Sequence, residues 1–136
     1  MSPHKESTSG ASPFAVLAAL LAVPAAATIR LVLQVDGWIP AVGLALLSLI
    51  AYTAHYRDKR SAEAGRERTP ESVLHMLEML GGWPGAYLAQ RQFRHKGSKF
   101  SYQAVFWMIV AVHELVALDY LLGWSIAGWA WHSISS

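Results

Sequence analysis

Between Tyr56 and Phe100 the chain gathers the side chains that could do chemistry. Asp58, Glu71, His75, Glu78 and His95 supply carboxylates and imidazoles, the groups that bind divalent metals or exchange protons near neutral pH. Glu71 and His75 stand one helical turn apart, as adjacent ligands do, so Glu71, His75 and His95 could form a metal site. The helical zinc pattern with paired histidines is missing, and no metal or other cofactor is expected. As acid–base groups, His75 or His95 would act with Glu71 or Asp58 as partner. A purely structural reading needs less. Glu71 then favours the positive end of a helix, His75 bonds a neighbouring loop, and Asp58 pairs with a basic residue.

The same stretch carries the basic residues Lys59, Arg60, Arg66, Arg68, Arg91, Arg94, His95, Lys96 and Lys99. Guanidinium and ammonium groups beside a bilayer attract phosphate and anionic lipid. Lys59, Arg68, Arg91, Arg94, His95, Lys96 and Lys99 are the expected ligand-binding set. Setting membrane topology requires the same residues and no ligand. Aromatic residues are too sparse among them to stack bases, so no nucleic-acid partner is expected.

Thr69-Pro70-Glu71 reads as a helix start, with Thr69 as cap, Pro70 at the first position and Glu71 at the positive end of the dipole. Glu71, His75 and Glu78 then recur at four and three residues and share a polar face. Gly81-Gly82-Trp83-Pro84-Gly85 breaks this helix, because Pro84 disfavours a helical Trp83. Gly81, Gly82, Pro84 and Gly85 are the expected structural hinge. A second arm follows to Phe93, with Gly97 suited to end it. The break has neither phosphate-loop spacing nor a nucleophile elbow.

Apolar segments flank this island. Of 136 residues, 54% are hydrophobic and only 15% charged, against about a quarter charged in ordinary soluble domains. The chain has no cysteine, which removes disulfides and thiolate chemistry. Residues 14–33, 38–56 and 103–124 are each about 20 residues long, enough to cross a bilayer. Trp38 at one rim and Tyr52 and Tyr56 at the other suit the two interfaces. The first segment also resembles a secretory signal, but the second apolar block follows at once. Residues 1–12 read as a flexible tail and 13–136 as one membrane domain. The last residues, with Trp129 and Trp131, suit the interface.

Basic loops favour the cytoplasmic side. If residues 70–94 form a broken re-entrant or interfacial hairpin, both basic loops share that side with the N-terminus. The expected fold is therefore an all-α membrane bundle of three transmembrane helices plus that hairpin. Gly81, Gly85 and Ala89 form a small-residue face that would also suit a fourth span. Three spans place Arg30 and Asp119 at similar depth, so Arg30 is expected to pair with Asp119 or Glu114. Adjacent His113 and Glu114 point roughly 100° apart and cannot both face one partner.

Four ordered motifs carry a resemblance: Tyr56-x-Asp58-Lys59-x-x-Ala62, Arg68-x-Pro70-Glu71-x-x-Leu74-His75, Gly81-Gly82-x-Pro84-Gly85-Ala86, and Phe93-Arg94-His95-Lys96-x-x-Lys99, with Tyr102 near its last position. Over roughly Trp38 to Leu122 the chain resembles the bacterial membrane family called domain of unknown function 1294. No activity is established for that family. Longer relatives carry an N-terminal cold-shock domain, which implies a cytoplasmic N-terminus. This chain has a short tail in that place, so nucleic-acid binding is not carried over. The expectation is a small multi-pass protein of the bacterial inner membrane that binds an anionic lipid or phosphate-bearing amphiphile. An enzyme acting on a lipid head group, or a homo-oligomeric scaffold, are the alternatives.

Overall fold

The computed structural model describes residue 10 and residues 12–35, 37–93 and 99–136. Most of the 1–12 tail and the site candidates Arg94, His95 and Lys96 lie outside the described residues. Among the described residues every regular element is helical: α1 (Pro13–Val35), α2 (Ile39–Glu63), α3 (Glu71–Leu77), a wide π-type turn (Glu78–Gly82), α4 (Trp83–Phe93), α5 (Phe100–Leu121) and α6 (Ser125–Ser135).

Three helices, α1, α2 and α5, are long and apolar enough to cross a membrane. Only 6%, 11% and 22% of their most apolar stretches are buried within the protein. Side chains such as Leu33, Ile39 and Met108 are left outside. A protein in water would cover such a surface; a bilayer covers it instead. The fold is an all-α membrane bundle.

Helices α1 and α5 run in parallel. Arg30 and Gln34, near the end of α1, both bond to Tyr120 near the end of α5. The short link after Val35 sends α2 back between the two levels.

The hairpin follows α2 in both directions, and its contacts record the reversal. Its outward arm starts at the end of α2, where the Thr69 N–H donates to Asp58 Oδ1 at 2.7 Å. Glu78 then lies level with His55. Gly81, with φ of 120°, faces Leu44 and Leu47, nearly three turns further along α2. From there α4 returns: Gly85 passes Ser48, the Tyr52 hydroxyl donates to Gln92 at 2.6 Å, and Phe93 packs on Tyr52 and Tyr56. An arm of 11 residues rises about 16 Å, roughly half the hydrocarbon thickness. The small-residue face is used for packing of the returning arm. Gly85 is buried on α2, as is Ala89 within the protein.

Two local readings are corrected. Thr69 offers no side-chain cap to α3; Pro70 occupies that position, and the Thr69 backbone goes to Asp58 instead. The end of the chain, expected only to rest at an interface, forms α6 after the positive-φ pair Gly123 and Trp124.

The tightest contact gives a prediction. A Cβ on Gly85 would stand 1.8 Å from the Ser48 carbonyl oxygen, which is backbone and cannot turn aside. Gly85→Ala should lower stability by about 3 kcal/mol, the upper end for overpacking, as measured by denaturation in detergent. Gly128→Ala, where the added carbon meets nothing within 4 Å, should change it by under about 0.5 kcal/mol.

Candidate functional site

Helix α2 brings His55 and Asp58 to the hairpin, one turn apart near its C-terminal end. Glu78 enters from the wide turn and Tyr102 from the first turns of α5. His55, Glu78 and Tyr102 are completely buried, in a region otherwise packed with Leu74, Trp83 and Phe106. A carboxylate can stand there only if donors surround it, because an uncompensated buried charge costs several kcal/mol.

Glu78 has those donors on both oxygens. The Tyr102 hydroxyl donates to Oε1, and His55 Nε2 lies 3.4 Å from the same oxygen. His75 Nδ1 lies 2.8 Å from Oε2. The Tyr102 oxygen is also 3.2 Å from His55 Nε2, which closes a triangle of two side chains on one carboxylate oxygen. Wide π-type turns are frequent at functional sites, and here the turn is what aims Glu78 inward.

His75 connects this buried network to the outside. Its ring stacks on Tyr102 with centroids 4.2 Å apart, and it is 16% exposed. Where Glu78 accepts in this bond, the proton stands on His75 Nδ1. Nε2 is then the ring nitrogen that Glu78 does not engage. The arrangement is a carboxylate-oriented imidazole, a design able to exchange a proton at Nε2.

The other expected site residues fall into separate pairs around this network. Asp58 lies 3.8 Å from Arg68, and Glu71 accepts from Lys99. Lys59 donates to the Phe93 carbonyl and stands 4.0 Å from Glu63. Arg91 lies over the Tyr87 ring. His75 is thus brought to Glu78, and its expected acid–base partners Glu71 and Asp58 are engaged elsewhere. Among the described residues, no group of three or more His, Asp or Glu side chains is disposed to hold a metal ion. His55 and Tyr102 were not singled out from the sequence. The available signal was His55 one turn before Asp58, an imidazole and a carboxylate on one face of α2 where its apolar run ends.

The intramembrane charges differ from expectation. Arg30 Nη1 donates to the carbonyls of Leu121 at 2.9 Å and Tyr120 at 3.3 Å, and the guanidinium lies over the Tyr120 ring. Asp119 accepts from the N–H groups of Ile126 at 2.7 Å and Ala127 at 3.1 Å, capping α6. Arg30 thus meets the open carbonyls of one helix end and Asp119 the open donors of the next helix start. Neither needs the other, and Glu114 pairs with neither.

Residues 48–102 match the sequence model of a family described as Protein of unknown function (DUF1294). The chain resembles DUF1294 over that stretch. The match is shorter than the Trp38–Leu122 range expected from the motifs. It covers the second half of α2, the whole hairpin and Tyr102, and therefore every member of the Glu78 network. Arg30, His113, Glu114 and Asp119 lie outside it. No curated protein and no solved structure matches the chain.

Removing single donors should grade the cost of this network. Tyr102→Phe should destabilise by about 1–3 kcal/mol, the range for leaving one buried partner unsatisfied. Glu78→Leu should cost more, about 3–5 kcal/mol, because three donors lose their acceptor together. Chemical denaturation in detergent with helical circular dichroism as readout checks both. Equal, small effects would show that Glu78 is not the centre of the network.

Proposed function

We propose that this protein is a small binding module of the bacterial inner membrane. It holds an anionic lipid, or another phosphate-bearing amphiphile, at the end of α2 where the hairpin arms meet. The observation that carries this reading is the reversal at Gly81, which returns Phe93 to Tyr56 and Lys59. Lys59, Arg68, Arg91 and Lys99 therefore gather at one end of the bundle instead of being divided between two. In this reading the hairpin is re-entrant. It enters and leaves the membrane at the cytoplasmic face, where the N-terminus also lies, as the concentration of positive charge favours. Arg94, His95 and Lys96 belong to the same loop in sequence and complete the proposed set.

Several of these cations already have acidic or carbonyl partners, so the attraction depends on their sum. Each basic residue near an anionic surface contributes about 1 kcal/mol, roughly fivefold in affinity. Spin-labelled phosphatidylglycerol and phosphatidylcholine, compared on the purified protein in mixed bilayers, test the reading. The labelled phosphatidylglycerol should be preferred at low salt, and Lys59→Gln with Arg91→Gln should reduce the preference by at least fivefold. An equal association of the two lipids, insensitive to salt, would refute it.

A second reading is supported by His75 and its buried partner Glu78. An imidazole held in this way suits acid–base chemistry on the bound head group. Glu78 then replaces Glu71 and Asp58 as the residue that orients it. Turnover of extracted lipid by the purified protein, lost in His75→Gln while phosphatidylglycerol preference persists, would identify an enzyme.

A further inference from the structure

On the far side of the hairpin from the basic end lies a cavity of about 860 Å³, open along one side. It is bounded by α1, α2, the hairpin tip and α5, within the membrane-crossing part of the bundle. Its size falls inside the usual range for small-molecule sites. The hollow follows from the sequence. Ala25, Ala41, Ala45, Ser48, Gly81 and Ala117 stand on its walls, where larger side chains would close the bundle. Trp83 and Trp124 also line it.

The walls are almost wholly apolar, and the Thr28 and Tyr120 hydroxyls among them are already used. The Thr28 hydroxyl donates to the Pro24 carbonyl at 2.8 Å, and the Tyr120 hydroxyl donates to Gln34. His113 is different. Its Nδ1 lies 2.8 Å from the Ile109 carbonyl, and a carbonyl can only accept. Nδ1 therefore carries a proton, and in the neutral form of the ring Nε2 is the acceptor. An imidazole acceptor on the wall of an apolar cavity matches a ligand with one hydrogen-bond donor on a hydrocarbon chain.

We propose that this cavity is a binding site for a single-chain lipid alcohol, whose chain fills the hollow between α1, α2 and α5 and whose hydroxyl donates to His113 Nε2. The hairpin tip, through Gly81 and Trp83, forms part of the wall, so the site exists only in the folded-back arrangement. It lies apart from the basic end and does not depend on anionic-lipid binding there.

Brominated chains quench tryptophan emission at short range. A variant with Trp38, Trp107, Trp129 and Trp131 each changed to Phe keeps Trp83 and Trp124 as reporters. Dibrominated stearyl alcohol and the equally brominated stearyl methyl ether serve as probes in detergent. The ether has the same chain and no donor. The alcohol should reach half-quenching at a roughly fivefold lower concentration, the ratio expected for one net hydrogen bond. His113→Leu should erase that ratio, and His113→Gln, which restores an acceptor, should recover part of it. Ala45→Leu with Ala117→Leu should weaken quenching by both probes. Equal quenching by alcohol and ether in the reporter protein, with helical circular dichroism matching that of the parent protein, would overturn the proposal. So would a ratio that survives His113→Leu, or quenching indifferent to the filled cavity. A salt-independent result here, alongside failure of the phosphatidylglycerol preference, would leave this site standing and remove only the anionic one.

Discussion

The close approach of the hairpin to α2 is the constraint on which the rest of the structure depends. Gly85 sits against the Ser48 backbone, and Gly82 against the Leu47 carbonyl and Ala51. The hairpin can approach that closely only because its glycines present no side chain, a usual means of packing inside a bilayer. Gly81, at φ 120°, supplies the change of direction that a residue with a Cβ rarely adopts. If the hairpin stood further off, Glu78 would not reach His55 and Tyr102. Phe93 would not return to Lys59, and the cavity would lose the wall formed by Gly81 and Trp83.

The same reversal reconciles two opposing demands. A segment that is polar at Glu71, His75 and Glu78 cannot face lipid tails, because unpaired polar groups are costly there. Folding it against α2 and α5 turns Glu78 inward to three donors and leaves Glu71 with Lys99 near the rim. Polar chemistry is thus held inside a protein whose outer surface is hydrocarbon. A buried carboxylate network of this kind is an expensive way to gain stability. The whole network lies within the stretch that resembles DUF1294, and His75 is its partly exposed member.

Much of the architecture was legible in the sequence. Three apolar runs of spanning length, the basic loops and the Gly-Gly-Trp-Pro-Gly break predict three spans with a broken hairpin. The Glu71, His75, Glu78 face was visible from its spacing, and His75 does meet Glu78. Their partners were not visible, because His55 lies 23 and Tyr102 24 residues from Glu78 and both meet it only after the chain turns back. Arg30 and Asp119 were expected to pair with each other, and each meets backbone groups instead. The positive-φ residues Gly123 and Trp124 start a new helix there, creating donors for Asp119 that an apolar tail does not announce. Thr69 follows the same pattern: a good cap by type, displaced because Asp58 takes its backbone.

The reversal at Gly81 can be measured directly, and the absence of native cysteine makes it clean. Single variants Glu67→Cys, Lys99→Cys and Gly37→Cys would be exposed to a membrane-impermeant maleimide in intact cells and in inverted vesicles. A folded-back hairpin predicts that positions 67 and 99 label from the same side, in inverted vesicles only, and that position 37 labels in intact cells. Labelling of positions 67 and 99 from opposite sides would mean that residues 71–93 cross the membrane, and the account would fail.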